Sequence, residues 1–363
     1  MDLSKAYDCL PHDLLIAKLA AYGVDFASLC LINNYLSDRF HRVKIGATFS
    51  KWLSLVIGVP QGSVLGPLFF NIFSNDMFLF DREASLCNFA DDNSLYASAR
   101  SQDDVVQILQ RDITNILEWF KVNSMAANIL KFQLMFLGRR SVPVKVRVGE
   151  NLLEPTNCVK LLGVYIDSNL DFKTHVQTLC KSTSCKIKAL FRLRPFLNTT
   201  SARRLCEAYI LSRFNYCPLI WMFGSKSNNA CLDKLHKRAL SAVYQRFDCN
   251  LDTLLEVDNS VSIHVKSLRF FLIEIYKTLN RENPEFLWDM FIPAQKRYLL
   301  RSGQTLVLPQ TKTQTFGQHS LKFRGCILWN SLPAKYKSVD STKQFKTQIK
   351  TSPGDTCTCY ICN

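Results

Sequence analysis

The sequence lacks an apolar stretch at its start. Met1-Asp2-Leu3-Ser4-Lys5 has none of the character of a secretory signal. It also lacks a clean membrane-spanning run. The uncharged segment 52–75 is long enough to imitate one, but Pro60, Gln61, Gly62, Pro67 and Asn71 interrupt it. It reads instead as loop, strand and buried helix. There is no internal repeat and no low-complexity tract. The fourteen cysteines follow no repeating frame, so they read as reduced core thiols of an intracellular compartment, with nucleus and cytoplasm not distinguished. His12, His41 and His175 have no metal-ligand spacing around them. Acidic residues are absent from 172–206, which holds eight Lys/Arg.

What is present is an ordinary globular composition, 47% hydrophobic and 21% charged over 363 residues. That excludes disordered, collagen-like and coiled-coil chains and leaves room for two or three domains. The net charge is +15, and it is unevenly spread. Residues 1–170 carry 16 Lys+Arg against 17 Asp+Glu, while 171–363 carry 29 against 13. A neutral front and a basic back point to a polyanionic partner gripped by the back half, the alternative being a merely solvated basic surface. A membrane-surface role finds no amphipathic anchor or lipidation motif.

Hydrophobic spacing predicts helices over 11–22 and 25–36, then a hairpin over 42–56 turning at Gly46. A buried helix is expected over 68–80. Residues 85–97 read as strand, tight turn, strand, with Asp91 and Asp92 at the turn, where Asp tolerates unusual backbone. A helix capped by Ser101 should run to Phe120, followed by strands at 132–137, 144–148 and 159–166. Beyond 171 the pattern is helical, near 172–193, 200–211, 228–246 and 261–280. Residues 290–325 look looser.

Two adjacent carboxylates on a turn repel each other unless a cation offsets them. A hard divalent ion such as Mg²⁺ fits, because it takes carboxylate oxygens together with phosphates. A solvated turn is the plainer reading of Asp91-Asp92 alone. Two further elements stand with it: Asp2-Leu3-Ser4-Lys5-Ala6-Tyr7-Asp8, and the Gly-rich loop Val59-Pro60-Gln61-Gly62-Ser63-Val64-Leu65-Gly66-Pro67 before an apolar helix. The third is Asn88-Phe89-Ala90-Asp91-Asp92 itself.

In order and separation these three elements resemble the reverse transcriptases of non-long-terminal-repeat (LINE-like) retrotransposons. Asn128 to Gly138, with Lys131, resembles the family's next palm motif. Leu161-Leu162-Gly163-Val164 resembles its primer-grip hairpin, and segments 214–221 and 328–333 resemble its downstream basic region. The resemblance implies an RNA-directed DNA polymerase acting on an RNA template, a DNA primer and deoxynucleoside triphosphates. It places two Mg²⁺ ions, with Mn²⁺ as a substitute, on Asp2, Asp91 and Asp92 for a two-metal displacement. Tyr7 would be the sugar gate, Gln61 and Gly62 would sit beside nucleotide and template, and Lys131 would face the pyrophosphate. Asp8 is read as structural.

The expected architecture is α+β. A polymerase palm over 1–170 would have an antiparallel sheet with helices on one face. An all-α basic thumb over 171–290 and a C-terminal region over 291–363 would follow. No fingers segment precedes Asp2, so the expectation is a palm–thumb fragment with little or no polymerase activity. The competing reading is a catalytically silent remnant that only binds nucleic acid. Cys357, Cys359 and Cys362 form a tail that could help hold zinc, or be three unpaired thiols, since no fourth ligand lies nearby.

Overall fold

The computed structural model describes residues 1, 3, 6–138, 144–294 and 304–351. The chain divides into two units, Met1–Leu162 and Gly163–Asn363. Asp2 and the cysteine tail lie outside the described residues. No described helix is long and apolar enough to cross a membrane.

The first unit mixes helices with short antiparallel strand pairs. Helices His12–Ala21 and Phe26–Leu36 match the predicted spans, the second capped by Asp25 accepting from the Ser28 amide. The apolar helix begins earlier than expected, at Leu65, and yields at Ser74 to a 3₁₀ segment, Asn75–Leu79. It is also buried on one face only. Phe69, Phe70 and Phe73 are interior, whereas Leu68 and Leu79 are exposed. Helix Gln102–Val122 starts where Ser101 accepts from the Asp104 amide.

These helices converge on one core. Leu15, Leu19, Leu36, Phe69, Phe70, Phe73, Trp119 and Phe120 share it. A polar staple crosses it. The Lys18 ammonium reaches Asp76 at 2.8 Å, and Asp76 also accepts from the Trp119 indole at 3.0 Å. The ammonium lies 4.2 Å from the Phe73 ring centroid, a cation–π contact. Burial lowers the Lys18 pKa, and Asp76 opposes that shift. The other flank of helix Gln102–Val122 sets Leu109 and Ile113 against Val146 and Val148 in a second cluster. There the buried Asp112 accepts from the Ala84 amide at 2.7 Å.

The mixture of helices and antiparallel strands agrees with the expected α+β class, but the described strands form separate pairs and not one palm sheet. Within this unit the pairs are Arg39–His41 with Leu53–Leu55, Lys44–Ile45 with Thr48–Phe49, Ser85–Phe89 with Asp92–Tyr96, and Val146–Val148 with Asn151–Leu153. No described sheet exceeds two strands. The physical reason is that the hairpin's neighbours are isolated contacts: Met1 on Asn93, and a single bridge from Leu3 to Ala127. A strand needs consecutive ladder bonds. Residues 132–137, expected as a strand, supply only one bridge, at Leu134. The ribbon over 39–55 pairs farther out than the predicted hairpin, with Gly46 at φ 60 in its tip.

The second unit is helical. Lys173–Leu193, Thr199–Tyr209, Lys226–Tyr244 and Ile263–Leu279 fall on the predicted segments. Leu251–Asp258, Leu321–Ser331 and Thr342–Thr351 are additional. Asn198, Ser225, Asn250, Ser262 and Ser320 each cap a helix by accepting a backbone N–H three residues on. One core gathers Val176, Ile187, Cys206, Phe214, Trp221 and Leu232. Another joins Phe223, Phe271 and Ile275 to Phe291, Trp329 and Phe345, so segments 214–221 and 328–333 serve packing. Of the described cysteines only Cys206 and Cys326 are buried. The described cysteines form no disulfide among themselves, and most of them are not core residues.

Candidate active site

The site is built on the hairpin Ser85–Phe89/Asp92–Tyr96. Its register pairs Phe89 with Asp92, which leaves Ala90 and Asp91 as a two-residue turn. The left-handed backbone falls on Ala90, at φ 53, and on neither aspartate. The expectation that Asp absorbs the unusual backbone is therefore corrected. The left-handed turn position sits on the small residue, with Asp91 half-buried and Asp92 exposed. Among the described residues neither carboxylate has a hydrogen-bond donor or cationic partner. Two like charges side by side without compensation destabilise the tip and favour a cation.

The hairpin base is held by Asn93, which sequence reading did not single out. Asn93 is buried, and its side-chain amide donates to the Asp91 carbonyl at 3.1 Å. Its backbone exchanges two bonds with Met1: the Met1 nitrogen donates to the Asn93 carbonyl at 2.7 Å and the Asn93 amide donates to the Met1 carbonyl at 3.2 Å. Leu3 is buried and bridges Ala127. Asp2, between these two residues in sequence, is outside the described residues.

Segment 6–12 and the Pro-Gln-Gly loop are locked together. The Val59 amide donates to the Tyr7 carbonyl at 2.9 Å, and the Gly58 amide donates to the Leu10 carbonyl at 2.7 Å. His12 Nε2 bonds the Gly58 carbonyl at 2.7 Å. Gln61 Nε2 donates to Asp8 Oδ1 at 2.8 Å. Asp8 and Gln61 are thus partners, a link that spacing alone does not reveal. Gly62 takes φ +79 with open space where a Cβ would be, so its glycine answers to backbone conformation and not to close approach. Gly58, not singled out from the sequence, answers to both.

Tyr7 stacks on Phe70, ring centroids 4.8 Å apart at 32°. Burial first, and the Asp91 charge second, raise the pKa of its hydroxyl. That electrostatic coupling ties the Tyr7 phenol to the aspartate tip. Tyr7, Asp91, Asp8 and the Gln61 loop are therefore one neighbourhood. Lys131 is exposed on a short 3₁₀ turn, Ile129–Lys131. No group of three or more His, Cys, Asp or Glu that could hold a metal is formed by the described residues alone.

Two surfaces carry exposed cations. On helix Lys173–Leu193, Lys181, Lys188 and Arg192 are exposed, and helical spacing puts them on one face. The eight cations of 172–206 are not all available. Arg194 is spent on the Val243 and Leu197 carbonyls, at 2.8 and 2.6 Å, and Arg203 on Asp258 at 2.9 Å. Phe172 is core, and Phe196 is 84% exposed. In the first unit, Arg42 lies 3.9 Å from the Phe49 ring and 4.4 Å from Trp52.

The reverse transcriptase (RNA-dependent DNA polymerase) family model matches residues 1–166. Over 342 residues the chain is 27% identical to a probable RNA-directed DNA polymerase from transposon BS of Drosophila melanogaster, covering 85% of this chain and 36% of the relative. It is 28% identical over 240 residues to the corresponding protein of transposon X-element from the same organism, covering 63% and 26%. Similarity to the RNA-directed DNA polymerase of mobile element jockey is 23% over 195 residues, covering 52% and 21%. The chain spans about a fifth to a third of the length of these curated relatives. Residues 1–166 thus match the reverse transcriptase family model, and the chain as a whole is similar to RNA-directed DNA polymerases of Drosophila transposons.

Proposed function

We propose that the chain provides the palm and thumb of an RNA-directed DNA polymerase, extending a DNA primer on an RNA template with deoxynucleoside triphosphates. The palm is assigned to 1–170, the thumb to 171–290 and a C-terminal region to 291–363. The observation that carries this reading is the Phe89-Ala90-Asp91-Asp92 hairpin tip, whose two carboxylates have no cation against them among the described residues. A hard divalent ion suits that donor set, and Asp91 and Asp92 with Asp2 would hold it. Once bound, such ions lower the pKa of the primer 3′-hydroxyl and screen the triphosphate.

The chain's own residues then have distinct tasks. Tyr7, braced by Phe70, forms a floor under the sugar and excludes a 2′-hydroxyl by contact. Its raised pKa keeps it a neutral phenol. Gln61, oriented by Asp8, holds the loop beside the incoming base pair, and Gly62 gives that loop its left-handed bend. Lys131 is assigned to the pyrophosphate side. The exposed Lys181, Lys188 and Arg192 face suits duplex phosphates, a sequence-independent and salt-sensitive grip.

The test is primer extension on an oligo(dT)-primed RNA template with Mg²⁺ and separately with Mn²⁺, beside the Asp91→Asn/Asp92→Asn control. Extension lost in the control supports the polymerase. Duplex binding without extension, measured by filter retention, assigns the chain the silent nucleic-acid-binding role instead.

A further inference from the structure

The second unit contains a cavity of about 660 Å³ that the polymerase reading does not use. It opens between helices Thr199–Tyr209, Lys226–Tyr244 and Ile263–Leu279. Its volume is that of a site for a small organic ligand. Phe214, Ile263 and Ile273 give it apolar walls, and Phe270 stands at its edge, 44% exposed.

Two of its polar groups lack partners. His236 is 3% exposed, and neither ring nitrogen has a hydrogen-bond partner among the described residues. The Ser260 hydroxyl is buried and likewise unpartnered. Leaving buried polar groups unmade is costly, so such a pair marks a place where a ligand or water completes the structure. The back wall is rigid. Asp258 accepts from Arg203 at 2.9 and 3.2 Å and from the Tyr244 hydroxyl at 2.6 Å.

The chemistry narrows the ligand. Burial drives the His236 pKa down to about 4, so the ring is neutral and offers one donor and one acceptor. A simple anion has no use for the acceptor nitrogen, and a hydrocarbon would leave both groups orphaned. A planar heterocycle whose edge carries donors and acceptors satisfies His236 and Ser260 together, and its face can stack on Phe270. The lining also bears Arg203, Lys266, Arg269 and Lys350; Arg203 pairs with Asp258 and Lys266 with Glu207, the latter at 3.3 Å, so the lining keeps two more cations than anions, which favours an attached phosphate.

We propose that this cavity binds a single nucleotide, its base against His236 and Ser260 and its phosphate at the Lys266–Lys350 rim. The nucleotide is either free or one unstacked unit of a bound strand. The site is separate from the aspartate hairpin and does not depend on polymerase activity.

Equilibrium titration of the whole chain tests it. The probes are the four common nucleoside 5′-monophosphates, the matching nucleosides, inorganic phosphate, a short single-stranded oligonucleotide and its fully abasic counterpart. A monophosphate should bind one site per chain, with nucleoside alone and phosphate alone each weaker by about tenfold or more. Ser260→Ala and His236→Phe should each weaken binding by about tenfold, the loss of one hydrogen bond to a buried partner. Should His236→Phe fail to fold, Phe270→Ala at its exposed position carries the same expectation. Asp91→Asn/Asp92→Asn should leave the affinity unchanged, which separates this site from the polymerase reading. If only the base-bearing oligonucleotide binds through Ser260, the ligand is a strand nucleotide; if monophosphates compete with it, the free form is accepted. Absence of binding, phosphate matching the nucleotide, or affinity unmoved by Ser260→Ala and Phe270→Ala overturns the proposal.

Discussion

Gly58 lies against the backbone of Asp8 so closely that a Cβ on Gly58 would stand 2.6 Å from the Asp8 carbonyl oxygen. The contact presses the Pro-Gln-Gly loop onto the segment that carries Tyr7. Gly58 also has φ +86. Gly58→Ala therefore combines a backbone clash with a disfavoured dihedral and should cost about 2–4 kcal/mol. Gly62→Ala meets only the dihedral cost, since nothing lies within 4 Å, and should lose about 1 kcal/mol. Urea midpoints of the two variants, compared at equal slope, check the difference.

The aspartate tip should separate function from stability. Asp91 and Asp92 are bound by nothing in the described protein, so Asp91→Asn/Asp92→Asn should leave Tm unchanged or slightly raised. The like-charge relief is about 0.2–1 kcal/mol. Primer extension, where the wild type shows it, should fall by at least about 100-fold. A fall in Tm alongside lost extension would make the pair structural instead.

Asp258 is the reverse case. Its carboxylate is buried and serves Arg203 and Tyr244 together. Asp258→Ala strands a guanidinium and a phenol and should cost about 3 kcal/mol. Tyr244→Phe removes one charge-assisted bond and should cost about 1.5 kcal/mol. Denaturant titrations of both variants and the double variant measure the coupling, which should be non-additive.

Stability should depend on pH through His236. Its folded pKa, about 4, lies below the ordinary value of 6.5. Between those values the unfolded chain binds the extra proton, so stability is full above pH 6.5 and falls as the solution is acidified toward pH 4. The loss reaches about 3 kcal/mol at pH 4. Burial, joined by the Lys266 charge, outweighs the pull of Asp258 and Glu207 toward the protonated ring. His236→Gln should flatten this part of the profile, read as the difference between wild-type and variant unfolding free energies across pH 4–7.

The exposed face of helix Lys173–Leu193 should set the salt dependence of duplex binding. Replacing Lys181, Lys188 and Arg192 with Ala should reduce the slope of log affinity against log salt by roughly 2 to 3. Replacing Arg194, whose donors are spent inside the protein, should reduce stability and leave the slope alone. An unchanged slope in the triple variant would remove this face from the interface.

Local information carried far in this chain. Helix spacing and the caps at Asp25 and Ser101 locate their elements because capping and amphipathic periodicity act within a few residues. The Asp91-Asp92 hairpin is legible for the same reason, since a two-residue turn is set by its own sequence. Even there the left-handed residue was misplaced, because Ala90 is a poor sequence signal for φ above zero. Asn93, Gly58 and the Asp8–Gln61 bond escaped because each acts across the fold. A buried amide and a close backbone approach have no period and no composition.

The sequence by itself therefore determined the positions of most helices and the turn that carries Asp91. These follow from residue type and short-range spacing. Only the tertiary structure decided which cations remain exposed, which aromatics are core, and that Tyr7 shares an electrostatic field with Asp91. It alone also left His236 and Ser260 without partners around an open cavity. Burial, pairing and desolvation are properties of the packed chain, and they arise only when distant segments meet.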